Sequence, residues 1–217
     1  MIQIFYNAEG NYTVSMDVNL NVHHYVDLGL PSGTLWATCN VGADKPSDAG
    51  LYFQWGDVQG HTESQVGKNK QFDWDYYKFS INGSHSNFSK YTTTGAKLDL
   101  VDDAANANMG GDWHMPTPEQ INELINNTTN TWTTQDGVNG RLFTSKKDAS
   151  KSIFIPAAGY AWDDLIDLSG SYGGIWSSMS GTHYVDGGQY LRFNSSGVSL
   201  GSYGYRYGGL SVRGVIG

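Results

Sequence analysis

The chain has 217 residues, 39% of them hydrophobic, enough to bury one good core in a single α+β or all-β domain. Its formal net charge of -8 and pI near 5.0 argue against nucleic acid as a partner, because phosphate binding needs a basic field. One cysteine, Cys39, excludes an internal disulfide framework, and no apolar run long enough for a membrane span or patterned like an export signal is present, so no membrane insertion is expected.

Residues 1–24 read as N-terminal strands or an extension: Ile2–Tyr6 and Tyr12–Val18 alternate around Glu9-Gly10-Asn11 and end in His23-His24. The main domain is expected over residues 25–217. Its first strand, Leu35–Val41, is flanked by Gly29, Pro31, Gly33 and Gly42, with Leu35, Ala37 and Cys39 expected on one side and Trp36 on the other. Cys39 then reads as a small core residue rather than a reactive thiol. Pro46-Ser47-Asp48 predicts the start of a short helix over Ala49–Trp55.

A long polar region, Gly56 to Ala96, follows, with clustered aromatics Phe72, Trp74, Tyr76 and Tyr77 expected to pack it from within. Its Asn82-Gly83-Ser84 and Asn87-Phe88-Ser89 triplets match a glycosylation pattern that so Asn- and Thr-rich a chain meets by chance.

The sharpest local signal is DDAANANMGGDWHMPTPEQINELINN. Asp102–Met109 reads as a short helix stopped by Gly110-Gly111. Thr117 reads as a helix N-cap, with Pro118 at the first helical position, Gln120 completing a capping box, and Ile121, Leu124 and Ile125 forming one apolar stripe. Strands are expected at Thr131–Gln135, Arg141–Lys146 and Ile153–Ala158, with turns at Asp136-Gly137 and Lys147–Lys151 and a loop over Trp162–Gly170.

The stretch from Tyr172 to Arg213 has a composition of its own. Between Met179 and Gly209 it holds eight Gly, five Tyr and five Ser and no Lys, Glu or Pro. Lys ends at Lys151 and Glu at Glu123, so aromatic and hydroxyl groups stand where a solvated surface would carry long charged side chains. Alternation through Gln189–Asn194 sends Leu191 and Phe193 inward and Tyr190, Arg192 and Asn194 outward. Tyr supplies stiff amphipathic contact area while Gly and Ser adapt around it, which is the chemistry of antibody loops. The same composition also suits ordinary antiparallel strands and turns.

The ordered motifs DLGLPSGTLWATCNVGA, AGLYFQWGD, GGDWHMPTPEQINEL, GVNGRLFTSK, SIFIPAAGY, IWSS and RYGGLSVRGV, which run from Tyr25 to Val215, resemble the paralogous-domain family of gut bacteria. That family shares the C-type-lectin-like fold of formylglycine-generating enzymes. The resemblance implies an α+β domain with two helices packed on antiparallel β-sheets, long loops and a C-terminal ligand-binding face. Part of the family resembles the variable proteins of diversity-generating retroelements, in which adenine replacement in Asn codons yields many residues but never Lys, Glu, Gln, Trp or Met.

On that rule Trp176, Ser177, Ser178, Met179, Gln189, Leu191, Phe193, Arg206, Ser211, Val212 and Arg213 are expected framework. The candidate ligand-binding residues are Tyr172, Gly174, Ile175, Thr182, His183, Tyr184, Asp186, Tyr190, Arg192, Asn194, Ser202, Tyr203, Tyr205 and Tyr207, with Gly187, Gly188, Gly201, Gly204 and Gly208 also open to variation. The resemblance implies a protein or cell-surface target, including a glycan, with cell-surface or phage-particle display. The alternative is a fixed adhesin or carbohydrate-binding module.

Other chemistry lacks its residues. Formylglycine-generating enzymes work through cysteine chemistry that Cys39 alone does not supply. The EPN, QPD and WND calcium triplets of sugar-binding C-type lectins do not occur. Trp162-Asp163-Asp164 with Asp167, and Asp102-Asp103, read as a solvated loop or helix start rather than a six- to eight-oxygen calcium site. The six His carry no zinc spacing; His114 reads as packed or capping, and His183 as a surface contact. No catalytic residue, cofactor or metal is expected.

Overall fold

The computed structural model describes strands Ile2–Tyr6 and Tyr12–Met16, residues 23–68 and residues 71–217. The fold is mostly β, with two α-helices among the described residues, and so belongs broadly to the α+β class. Strands β1 (Ile2–Tyr6) and β2 (Tyr12–Met16) pair antiparallel; the expected turn Glu9-Gly10-Asn11 and residues 17–18 lie outside the described residues.

Strand β3 (Tyr25–Asp27) pairs with β4 (Leu35–Ala37), which is shorter than expected. Trp36 is fully buried, among Leu28, Ile121 and Phe143, while Leu35 and Cys39 are half-buried. Trp36 thus takes the core side against expectation, while of the three residues expected inward only Ala37 is buried. Alternation ends at Ala37, and the largest apolar side chain takes the core side. Cys39 is a half-buried side chain beside Thr38 rather than a core residue.

No helix forms over Ala49–Trp55. Gly50 has φ of 72°, and β5 (Tyr52–Phe53) instead pairs with a strand near the C-terminus. Tyr52, Phe53 and Trp55 are all fully buried. A short surface helix offers one apolar face, whereas a strand between layers buries both.

Among the described residues from 56 to 96 the chain is irregular apart from isolated bridges and one 3-10 turn at Trp74–Tyr76. Its aromatics do pack it: Tyr77, Phe79 and Phe88 are buried together with Trp74 alongside, and Phe72 joins a neighbouring cluster, while Tyr76 is exposed. Lys78 and Lys90 both bind Asp102, at 2.7 and 2.5 Å, and the Tyr91 hydroxyl donates to the same carboxylate at 2.7 Å. Burial alone would raise the Asp102 carboxyl, but these three donors outweigh it and hold it below the usual carboxylate range. Asp102 is thus a buried ion-pair centre, neither solvated nor part of the helix.

That helix, α1 (Ala104–Met109), is capped by Asp103, whose carboxylate accepts from Asn106 N and Met115 N, and it ends at Gly110 with φ of 73°. Helix α2 (Pro118–Asn127) has the expected capping box, with Thr117 Oγ1 accepting from Gln120 N and Gln120 Oε1 from Thr117 N. Such a cap stabilises a helix by about 1 kcal/mol. Ile121 and Leu124 are fully buried beneath it, with Ile125 half-buried.

Strands β6 (Thr128–Gln135), β7 (Val138–Ser145) and β8 (Ser152–Pro156) make a three-stranded antiparallel sheet, turned at Asp136 (φ 50°) and Gly137 (φ 82°). The expected loop after it holds a hairpin of β9 (Tyr160–Trp162) and β10 (Leu165–Asp167). Three long strands follow: β11 (Tyr172–Ser180), β12 (Gly187–Asn194) and β13 (Val198–Tyr205). They form a sheet in the order β13-β12-β11-β14-β5, where β14 is Leu210–Ser211, and β15 (Val215–Ile216) closes onto β4.

One core joins Trp36, α2 and the inward residues Ile175, Leu191 and Phe193; a second gathers Phe53, Trp55, Met115, Trp176 and Val212. Two buried arginines tie distant loops to this sheet. Arg213 donates to Asn40 Oδ1 and to the carbonyls of Ala37, Thr38 and Phe154; Arg206 donates to those of Gly187 and Tyr91. Burial lowers both guanidinium pKa values, that of Arg213 to about 10.

Candidate ligand-binding face

The register of β11–β13 sorts its residues by side. Tyr172 lies opposite Asn194, Gly174 opposite Arg192 and Trp176 opposite Tyr190; Tyr190 in turn lies opposite Gly201 and Arg192 opposite Ser199. These residues share the face turned away from α2, while Ile175, Leu191 and Phe193 take the other. Bulges between Trp176 and Ser180, and between Gly188 and Tyr190, re-aim the strands near their far end.

Along that end runs a ladder of rings. Tyr184 and Tyr203 have centroids 5.4 Å apart, Tyr203 and Tyr205 5.2 Å, Tyr205 and Tyr207 5.4 Å, and Tyr207 and Trp74 4.8 Å. Tyr184 and Tyr205 are exposed, at 64% and 47%, Tyr203 between them is half-buried, and Tyr207 at the inner end is 8% exposed. Beside the ladder opens a pocket of about 290 Å³ walled by Tyr160, Trp162, Tyr172, Tyr190, Tyr205 and Tyr207 and floored by Trp176, Gly204 and Gly208. The Tyr172 hydroxyl donates to that of Tyr190 at 3.1 Å, and the Tyr160 hydroxyl to Asp167 Oδ2 at 3.4 Å.

Glycine makes room for these rings. A Cβ on Gly201 would come within 2.7 Å of the Tyr190 ring, and one on Gly204 within 3.1 Å of both Trp176 and Tyr190. Burial, joined at Tyr172 by the hydrogen bond to Tyr190 and at Tyr203 by one to Tyr205, pushes the phenol pKa values of Tyr172, Tyr203 and Tyr207 upward, so these rings stay neutral.

Of the fourteen residues singled out in the sequence, most lie on or beside this face. Thr182, His183 and Tyr184 are exposed in the β11–β12 turn, Asp186 is half-buried at its end, and Arg192, Asn194 and Ser202 are exposed. Arg192 Nε donates to Ser199 Oγ at 2.9 Å, and Asn194 Oδ1 caps the β12–β13 turn by accepting from Ser196 N and Gly197 N.

Two do not fit. Ile175 is 1% exposed and packs in the α2 core, and Gly174 is buried with Leu210 within 2.8 Å of where a side chain would start. Gly187 and Gly188, also expected to vary, press against Tyr203 and against Trp55 and Trp176. A rule about codons says which residues can arise, not which side of a strand they occupy. Among the expected framework, all but the half-buried Met179 are buried.

The residues missed in the sequence are Trp74, Tyr160 and Trp162. The latter two alternate outward around the buried Ala161, and Trp162 is 52% exposed. That alternation was visible in YAW. What was not visible is the bridge that lays β9 beside the end of the ladder, in which Ala161 and Gly209 exchange two backbone hydrogen bonds of 2.8 Å. Leu165 and Leu168 extend the exposed apolar edge of this hairpin.

Among the described residues no three His, Cys, Asp or Glu converge on a point that could hold a metal ion, and no helix is long and apolar enough to cross a membrane. His114 is fastened to the backbone, Nδ1 to Met115 O and Nε2 to Gly217 O. Comparison with family models, curated proteins and solved structures returned no match to the chain.

Proposed function

We propose that this chain is a C-type-lectin-like binding protein, of the kind diversified by retroelements, and that it binds a protein or cell-surface target through the β11–β13 face without catalysing a reaction. One observation carries this reading. Within residues 172–213 the positions expected to stay fixed are buried, apart from half-buried Met179, whereas eleven of the fourteen candidate residues are exposed or half-buried on one contiguous face and its turns, leaving out Gly174, Ile175 and the deeply set Tyr207. Ring-rich surfaces of this type bind through a few anchors, each worth about 2 kcal/mol or more when desolvated.

The experiment is to sequence the DNA around the gene. A near-copy of the codons for residues 172–213 beside a reverse transcriptase gene, differing only where it has adenine, is the expected result. Differences at other bases, or no copy, would overturn diversification and leave a fixed binding module.

The aromatic pocket supports a second reading, a carbohydrate-binding module whose rings stack on a sugar. Reproducible binding to one sugar class on a glycan array would favour it over a protein target.

A further inference from the structure

We infer that the pocket beside the tyrosine ladder takes an organic cation, an alkylammonium or quaternary ammonium head carried by the target. The inference rests on the reading of this face as a binding surface and adds the chemistry of its centre.

Three observations point there. First, the walls are rings from two directions, Tyr160 and Trp162 from the β9–β10 hairpin and Tyr172, Tyr190, Tyr205 and Tyr207 from the sheet. Ring faces carry the negative part of the aromatic quadrupole and attract a cation held between them. Second, the pocket's volume of about 290 Å³ sits at the small end of ligand sites, suited to one head group and not to an extended chain of sugars.

Third, the charges are arranged for a positive guest. Among the described residues no Lys, Arg or His lines the pocket. Asp167 stands at its edge on the Tyr160 hydroxyl, and Asp73 lies close enough to Tyr207 for its charge to act on that phenol. Neither carboxylate is in a salt bridge among the described residues. Asp186 lies close enough for its charge to act on the buried Arg206, whose guanidinium sits over Trp55 and Phe88 behind the face. Arg192, an exposed cation, is tied to Ser199 and flanks Tyr172, so the guest's charge belongs at the Asp167 end.

The test uses the full chain with tetramethylammonium, choline and 3,3-dimethyl-1-butanol, the uncharged carbon isostere of choline. Binding is read by calorimetry and by the upfield ring-current shift of the ligand methyl protons. Tetramethylammonium and choline are expected to bind, and choline to bind roughly ten-fold more tightly than the isostere, as a cation over desolvated rings requires.

Trp162→Ala should weaken all three ligands, and Asp167→Asn should weaken only the cations; both side chains are exposed, so the fold is retained, as a thermal melt checks. Equal affinity for choline and its isostere, no shift at saturating ligand, or indifference to both substitutions overturns the inference. Choline against an Nε-trimethyllysine peptide then tells a lipid or glycan head group from a protein side chain, and binding of either supports the cage. The DNA test above is independent of the pocket. A template copy without cation binding removes the cage alone, and cation binding without a copy leaves a fixed binder with the cage intact.

Discussion

Tyr205 and Tyr207 stack with their planes 25° apart, yet one is 47% exposed and the other 8%. The stack is therefore a step from surface to interior: Tyr207 packs with Trp74 and Phe88, and Tyr205 lies on top of it.

This step predicts a division of labour. Tyr184→Ala and Tyr205→Ala should each change unfolding free energy by no more than about 0.5 kcal/mol, because little is buried. Tyr207→Ala should cost about 3 kcal/mol, the loss expected for a large aromatic in a packed cluster. Urea unfolding of the three variants measures this, and a Tyr205→Ala loss as large as that of Tyr207→Ala would make the ladder core and not surface.

A second prediction concerns which face positions tolerate change. A Cβ on Gly188 would lie 2.8 Å from Trp55 and 2.9 Å from Trp176, two buried rings with no room to move. Gly188→Ala should cost about 1–3 kcal/mol by overpacking. Ser202→Tyr, on the exposed part of β13, should stay within about 0.5 kcal/mol. Thermal melts of the pair decide whether Gly188 varies freely.

The ion-pair centre at Asp102 gives a pH dependence. Its folded pKa lies below the unfolded one, so its contribution to stability is present above the ordinary carboxylate range, near pH 4 and upward, and is lost as pH falls through the folded value. Asp102→Asn should therefore reduce stability at pH 7 and flatten its decline at acid pH. Unfolding curves of both proteins from pH 7 to pH 3 test it; parallel acid declines would remove Asp102 as their cause.

Arg213 makes four hydrogen bonds while fully buried. Arg213→Met should cost about 3 kcal/mol or more, since it orphans several buried acceptors. Arg213→Lys should recover only part of the loss, because an ammonium cannot reproduce the planar fork. Full recovery by Lys in denaturant titrations would show that charge alone matters there.

What could be read in the sequence was local. The Thr117–Gln120 box and the Asp136-Gly137 turn are each decided within four residues, and both formed as expected. The helix over Ala49–Trp55 did not, because Phe53 is claimed by Leu210, far along the chain, and no short-range pattern announces that partner. The face was legible for the same reason as the box, since its tyrosines lie close together in sequence. Its far wall was not, because Trp162 and Trp74 arrive through long-range bridges, and Ile175 was misplaced because only its register with Leu191 shows that it points inward.

The buried arginines have one more consequence. Five of the six oxygens to which Arg206 and Arg213 donate are peptide oxygens, at residues 37, 38, 91, 154 and 187; the sixth is on the Asn40 side chain. A peptide oxygen is the same whatever side chain its residue carries. These clamps grip the shape of the chain and are blind to its spelling: a change of side chain at any of the five positions leaves the acceptor itself in place.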